Sequence, residues 1–294
     1  MAAKKRPPNT IITTPSGIEI AFWDQVGVDG ERQQRRYRIP GPEGEKFPSI
    51  STIAGIYDKP GLMPAAVRLQ EEGVIALARA GVNLKALTPA ELRGMLIKRG
   101  LHYDAVWQEA RDRGDLAHDA MLSIALGNAP KPLSDYPAEW RPWITAGMRW
   151  FADADPPEII AAEYLVASLE HRFAGRPDLF CRLRDERLAR VEFKTVTEWK
   201  QKKNGKGEPT GQLLPPYDEN LIQLAGQEIA SVESGYDPSD VRIVVRLGPD
   251  GDYDVTESHA TEECFLAALT AYNEKRYLTT GRPKEPAQRE LVAA

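Results

Sequence analysis

The sequence predicts an α/β fold with a mixed central sheet flanked by helices, preceded by a small β element and a helical region. Apolar residues recur at helical spacing over residues 50–153 and at strand spacing from residue 158 onward. From residue 105 the predicted order is α, β, β, β, α, β, β, α, which is typical of one α/β domain. We therefore expect residues 1–294 to form a single domain.

The N-terminal half divides into two sub-regions. Residues 10–40 alternate in short segments broken by Ser16-Gly17 and Asp29-Gly30, which predicts a small antiparallel sheet. Residues 50–153 predict four or five helices. Their boundaries are marked by candidate N-caps and by glycine stops: Ser51, Thr88, Gly81 and Gly100.

Residues 158–258 predict the core of the domain, completed by its first helix at 105–126. Three consecutive strands are expected in "EIIAAEYLVASLE", "RPDLFCRL" and "LARVEFKTV". Residues 201–216 are rich in Gly, Lys and Pro, which predicts a long exposed loop. A helix closed by Gly235, two more strands and a C-terminal helix over 260–278 follow.

Composition excludes several classes of protein. No run approaches the roughly 18 apolar residues of a membrane span, and the N-terminus lacks a secretory signal, so we expect a cytoplasmic protein without membrane contacts. Cys181 and Cys264 are too few for an iron–sulfur cluster or a structural zinc site. No Walker A sequence is present, so we expect no ATP site. The net charge of −5 argues against general coating of nucleic acid but allows a local basic groove.

Charged residues interrupt two predicted strands in "GRPDLFCRLRDERLARVEFKT". If these strands form a hairpin centred on Asp185 with an odd-numbered loop, Asp178 lies opposite Glu192, with Cβ atoms about 4.5–5.5 Å apart. Two such carboxylates repel each other unless a cation lies between them, and this arrangement suits Mg²⁺. Lys194 shares their face, where it would stabilise charge rather than act as a base. Taken alone, Glu-x-Lys favours an exposed cross-strand ion pair, and only the other motifs of the chain favour the metal site.

Two other residues are candidates for the same site. His118 lies on the apolar stripe of its helix, where it is either a core histidine or a metal ligand. Glu163 is an acid within an apolar strand, and a buried carboxylate needs a partner. That partner is metal-bound water, Lys194 or an arginine such as Arg176.

Further residues are candidates for DNA contacts. Gln223 and Gln227 lie one helical turn apart, where they hold a phosphate of the backbone, orient Lys194 or occupy an exposed helix face. Four lysines follow the Lys194 strand and could reach phosphates, although they could also serve solubility: Lys200, Lys202, Lys203 and Lys206. The same alternatives hold for Arg32, Arg35, Arg36 and Arg38. Tryptophans at helical spacing predict packing rather than base stacking: Trp140, Trp143 and Trp150.

Taken in order, these motifs resemble the PD-(D/E)XK nuclease superfamily, and more narrowly its RecB-like and phage exonuclease branch. Pro177-Asp178 followed by Glu192-Phe193-Lys194 carries the resemblance, which covers about residues 47–247. "RDRGDLAHDAM" is similar to the family's Gly-x-x-x-His helix, "AAEYLV" to its acidic first strand and "NLIQLAGQ" to its Gln-bearing helix. "FPSISTIAGIYDKPGL" is similar to the start of actinobacteriophage exonucleases.

The resemblance implies a restriction-endonuclease-like core and a Mg²⁺-dependent DNA nuclease, with Mn²⁺ as an alternative ion. Asp178, Glu192 and His118 would be metal ligands, Lys194 the catalytic lysine and Glu163 a supporting acid. The activity implied is that of a phage-type exonuclease in DNA recombination or processing, located in the host cytoplasm. A recombination or single-strand-annealing protein would be a further partner, and homo-oligomers would be allowed because some members form rings.

The sequence departs from the family at two places. Gln227 stands where members commonly have the Tyr of Gln-x-x-x-Tyr, and Lys59-Pro60 stands where iron–sulfur members have their first cysteine. Neither a stacking role at position 227 nor an iron–sulfur cluster is therefore implied. Two alternatives remain open: a catalytically inactive DNA-binding or assembly protein of the same fold, and a restriction-type endonuclease that cuts closed circular DNA.

Overall fold

A computed structural model of the chain shows a mixed α/β fold. It describes residues 10–23, 36–39, 45–57, 61–154 and 157–280. The predicted turn at Asp29-Gly30, the basic residues Arg32 and Arg35, and Lys59-Pro60 lie outside the described residues. Within the described residues, no helix has the length and apolar character to span a membrane.

The N-terminal β element is a four-stranded antiparallel sheet. Its strands follow chain order: β1 (Thr10–Thr13), β2 (Glu19–Trp23), β3 (Arg36–Ile39) and β4 (Glu45–Phe47). Ile20, Phe22 and Tyr37 are buried on one face and pack against Leu165 and Ala174 from the following half of the chain. This contact attaches the small sheet to the core.

Helices occupy the next part of the chain. Within the described residues they are α1 (Ile50–Ala54), α2 (Leu62–Arg79), α3 (Pro89–Lys98), α4 (Tyr103–Ala125) and α5 (Arg141–Asp153). Thr88 caps α3 as predicted, and Gly81 and Gly100 have positive φ just after α2 and α3. The predicted cap at Ser51 is wrong, because Ser49 has the extended backbone and accepts the capping hydrogen bond.

The core strands and two more helices complete the fold. In chain order they are β5 (Glu158–Ala162), β6 (Val166–Ser168), β7 (Phe173–Gly175), β8 (Leu179–Arg182), β9 (Leu188–Thr195), β10 (Gln201–Lys203), β11 (Pro209–Leu213), α6 (Asp218–Glu233), β12 (Val241–Leu247), β13 (Tyr253–Glu257) and α7 (Glu262–Thr280). The central sheet has the order β13-β12-β9-β8-β5. β12 runs parallel to β9, and the other neighbouring strands are antiparallel.

Two boundary predictions are wrong. The single strand expected over 158–170 is divided, because Glu163 has φ of 48° and turns the chain out of β5 before β6 pairs with β7. The loop expected over 201–216 contains the β10–β11 hairpin. Asn204 Oδ1 closes its turn by accepting hydrogen bonds from two backbone N–H groups at 2.9 and 3.0 Å. The order predicted from residue 105 therefore lacks the β6–β7 and β10–β11 hairpins, and it has one helix where the structure has α4 and α5.

The β8–β9 hairpin has the predicted register. Leu179 pairs with Val191, so residues equally distant from Asp185 lie opposite each other. Leu183 N donates to Arg187 O at 2.9 Å, which closes an odd-numbered loop. The position before β8 therefore lies opposite the middle of β9, as the site prediction requires.

The alternation of β9 divides the core into two layers. Its odd-numbered residues, such as Val191 and Phe193, pack against α4 and α5. Trp143 and Trp150 are buried in this layer, as the packing interpretation predicted. The even-numbered residues of β9 face α6, which packs in turn against α7.

Close packing between α6 and α7 predicts the effect of substituting a glycine. A Cβ added to Gly226 would lie 2.4 Å from Cε2 of the fully buried Phe265, whereas one added to Gly94 on α3 meets nothing within 4 Å. We predict that Gly226→Ala lowers the free energy of unfolding by about 1–3 kcal/mol, because a rigid ring must move. Gly94→Ala should raise it by up to about 1 kcal/mol. Urea denaturation measures both, and equal effects would contradict this packing.

Candidate active site

A cleft of about 340 Å³ lies between α4, α6 and the strands β8 and β9. It collects residues that are far apart in the sequence. All seven of the residues predicted for the catalytic centre and the Gln-bearing helix line it: His118, Glu163, Asp178, Glu192, Lys194, Gln223 and Gln227. The predicted residues therefore share one concave surface.

His118, Glu163 and Asp178 form a group that could hold a metal ion. One ligand atom from each lies within 4.8 Å of the others. Asp178 directly precedes β8, and its carbonyl accepts a hydrogen bond from Glu163 N at 2.8 Å. The left-handed backbone of Glu163, uncommon outside glycine, turns this side chain into the cleft. An imidazole nitrogen with two carboxylates fits a divalent cation such as Mg²⁺ or Mn²⁺.

The His118–Asp178 contact joins α4 to the start of β8. His118 Nδ1 lies 3.5 Å from Asp178 Oδ2, and that oxygen also accepts a hydrogen bond from Phe193 N at 2.8 Å. Burial lowers the pKa of His118, but the charge of Asp178, its hydrogen bond with His118 and the charge of Glu192 together outweigh burial and raise the pKa to about 9. Burial raises the pKa of Asp178, while His118 and Lys194 bring it below its usual value. A cation would replace the proton on His118.

Glu192 lies deeper, with 2% of its surface exposed, and three side chains donate to its carboxylate. Gln223 Nε2 and Gln227 Nε2 each donate at 2.7 Å, one to each oxygen. Lys194 Nζ donates to Oε1 at 2.5 Å. This carboxylate therefore holds the Lys194 ammonium at the cleft. Among the described residues, Glu192 does not belong to the candidate metal-binding group of His118, Glu163 and Asp178.

Burial decides between the alternatives that the sequence left open. Gln223 and Gln227 are buried beneath Glu192, so the exposed-face interpretation of this helix is wrong. The interpretation of Glu192 and Lys194 as an exposed ion pair is also wrong, because the carboxylate is buried. His118 is partly buried and lines the cleft, so it is not a residue of the closed core.

The structure pairs Glu163 with Arg176, one of the partners predicted for it. The Arg176 guanidinium carbon also lies 5.3 Å from the centroid of the Phe22 ring, which links the N-terminal sheet to the cleft. Sequence reasoning missed Asp115 and Asp119, which line the cleft from α4. The available signal was helical spacing, because Asp115 lies three residues before His118 and four residues before Asp119.

A buried ion pair behind the cleft was also missed. Arg190 is fully buried on β9, and its Nε donates to Glu228 Oε2 on α6 at 2.7 Å. Its other nitrogens donate to Tyr164 OH at 3.0 Å and to Asp237 O at 2.7 Å. Because a buried charge is costly without such partners, this network fixes α6 against β9. It therefore fixes the helix that carries the two glutamines.

The four lysines that were predicted to contact phosphates do not line the cleft. They are exposed on or next to the β10–β11 hairpin: Lys200, Lys202, Lys203 and Lys206. The hairpin follows the end of β9 that carries Lys194. Of the second basic group, Arg36 and Arg38 lie on β3.

No protein-family model matches the chain, and a search of curated proteins found no match either. The functional interpretation therefore depends on the site and on the motifs in the sequence.

The raised pKa of His118 links the stability of the metal-free protein to pH. The pKa of His118 rises on folding from 6.5 to about 9. Protonation of His118 therefore stabilises the folded state fully below pH 6.5, and this stabilisation is lost as the pH rises through about 9. We predict that, in EDTA, the difference in unfolding free energy between wild type and His118→Gln shrinks as pH rises from about 6.5 to about 9.5. Urea denaturation at several pH values measures it. A constant or growing difference would contradict the His118–Asp178 pair.

Proposed function

We propose that the protein is a metal-dependent DNA nuclease with a restriction-endonuclease-like core, which hydrolyses phosphodiester bonds. The observation that carries this proposal is the cleft in which His118, Glu163 and Asp178 converge beside Lys194. Metal ligands next to a fixed ammonium are what phosphodiester hydrolysis requires, because both attacking water and transition-state charge need stabilisation. The ordered motifs that resemble the PD-(D/E)XK superfamily support the same reaction.

In this mechanism His118, Glu163 and Asp178 would hold Mg²⁺, or Mn²⁺ in its place. The cation supplies Lewis-acid activation of the attacking water and neutralises phosphate charge. Lys194 places its ammonium beside the reacting phosphate and stabilises the negative charge that develops there. Glu192 orients that ammonium, and Gln223 and Gln227 orient Glu192.

The biological setting comes from the resemblance. It favours a phage-type exonuclease that acts on DNA ends in recombination or processing, in the host cytoplasm and with a single-strand-annealing partner. A catalytically inactive DNA-binding protein of the same fold would not need the Lys194–Glu192 contact. A restriction-type endonuclease would use the same cleft. It would cut closed circular DNA, whereas an exonuclease needs a DNA end and would leave such circles intact.

Cleavage assays test this reaction. We predict that the wild type degrades linear DNA with Mg²⁺ but not with EDTA, and leaves closed circular DNA intact. Lys194→Met should lower the rate at least about 100-fold, because the transition state loses its ammonium. Lys98→Met removes the same charge from the exposed surface of α3 and should have no effect.

Three results have separate meanings in this assay. Cutting of circular DNA at defined sites would favour the endonuclease. Equal rates for wild type and Lys194→Met would contradict the mechanism. The absence of metal-dependent cleavage on linear single-stranded and double-stranded DNA would contradict the proposed function.

Metal binding is measurable without activity. We predict that Asp178→Asn and His118→Gln each weaken Mn²⁺ binding at least about tenfold in isothermal titration calorimetry, because each removes a ligand. Glu170→Gln is the control. Glu170, His171 and Glu233 form a second group with ligand atoms within 4.8 Å, but Ser168 and backbone N–H groups already donate to the Glu233 carboxylate. Loss of binding in Glu170→Gln alone would contradict the assignment.

A further inference from the structure

Arg113 on α4 is a buried cation outside the site described above. Its exposed fraction is 7%, and its guanidinium carbon lies 4.3 Å from the centroid of the Trp143 ring. Among the residues that the structure describes, the guanidinium forms no hydrogen bond or ion pair, and its Nε atom is buried without a partner. Arg113 therefore differs from Arg190, whose guanidinium is buried but fully engaged with side-chain and backbone acceptors.

Burial of the Nε donor of Arg113 without an acceptor is costly, whereas its Nη1 and Nη2 atoms reach the surface, where their N–H groups are open to a ligand. Burial lowers the pKa of Arg113, and the charge of Glu109, one turn earlier on α4, opposes that shift. An apolar residue at this position would fill the space against Trp143 without that cost. A side chain that lowers stability in this way is expected where it binds a ligand.

Arg113 does not line the cleft but lies near the end of β9, just beyond Lys194. A Cβ added to the next residue, Gly114, would lie 3.5 Å from Thr195 Oγ1, so this turn of α4 lies against the end of β9. Trp143 Nε1 donates to Val196 O at 2.7 Å, which fixes the stacked indole two residues beyond Lys194. The chain then continues into the β10–β11 hairpin with its exposed lysines. Arg113 thus lies at the end of the sheet where the catalytic strand passes into the basic hairpin.

We propose that Arg113, held by Trp143, binds a DNA backbone phosphate outside the cleft, where β9 passes into the basic β10–β11 hairpin, a role that rests on the proposed nuclease function. A guanidinium stacked on an indole keeps its N–H donors in one plane, which suits two parallel hydrogen bonds to a phosphate. Among the described residues no carboxylate forms an ion pair with Arg113, although Glu109 lies one turn away, and a phosphate would supply that direct contact. Such a contact fixes the position of the strand without reading its sequence.

Matched charge removals on one helix test this role. Arg113→Met keeps an apolar side chain against Trp143 and removes the charge. Arg111→Met removes the same charge two residues away, from an exposed arginine that donates to Gln108 Oε1 at 2.6 and 3.1 Å. Both are made in a Lys194→Met parent, so that the DNA is not cut. Fluorescence anisotropy with a short labelled DNA duplex in Mg²⁺, over a series of NaCl concentrations, measures affinity and salt slope. Thermal unfolding without DNA measures stability.

We expect Arg113→Met to bind the duplex about tenfold more weakly and to lower the salt slope by about one, because one phosphate contact is lost. Its melting temperature should not fall, since no partner is left unpaired. Arg111→Met should change affinity and slope much less. Arg113→Lys should bind more weakly than the parent but keep its salt slope, because an ammonium retains the charge without the planar fork.

Two results would overturn the role of Arg113 and leave the proposed function in place. One is that Arg113→Met binds DNA with the affinity and salt slope of the parent. The other is that Arg113→Met and Arg111→Met lose affinity equally. If Arg113→Met lowers the melting temperature, Arg113→Lys decides: weaker binding with the parent slope supports the phosphate contact, and parent affinity overturns it. A parent that binds no DNA contradicts the proposed function itself.

Discussion

The buried carboxylate of Glu192 is the contact on which the rest of the site depends. It lies on the central strand β9, and it joins α6 to Lys194 through three hydrogen bonds. A carboxylate at this depth is stable only when donors surround it. The register of β9 is therefore constrained, because a shift of one residue would turn Glu192 toward α4 and leave both glutamines of α6 without their acceptor. The buried Arg190–Glu228 pair maintains the same relation between β9 and α6.

The acidic residues of the cleft have two separate tasks, although the sequence motifs alone would assign all of them to one metal site. Glu192 holds the lysine from inside the domain, whereas His118, Glu163 and Asp178 converge at the wall of the cleft. The backbone makes this separation possible, since Glu163 leaves β5 in a left-handed conformation fixed by the Asp178 carbonyl. Arg176 then neutralises Glu163 and connects the cleft to the N-terminal sheet.

Sequence reasoning succeeded where a local pattern determines the structure. The odd-numbered loop around Asp185 gave the hairpin register, and the tripeptide at Glu192 placed the carboxylate and Lys194 on one side of β9. It failed where tertiary contacts override the pattern. The break at Glu163 depends on a hydrogen bond to a residue fifteen positions later, so an apolar run was read as one strand. The turn of the β10–β11 hairpin is closed by the Asn204 side chain together with backbone hydrogen bonds, within a composition typical of loops. The partners of the buried Arg190 lie in other parts of the chain.

The proposed nuclease activity requires a divalent cation where α4 meets the start of β8. Anomalous diffraction from crystals soaked in Mn²⁺ tests it directly, because the signal locates the ion without reference to activity. The structure predicts a peak within ligand distance of His118, Glu163 and Asp178, with the Glu192 carboxylate still bonded to both glutamines. A cleft without a peak, or a peak only beside Glu170, His171 and Glu233, would contradict it.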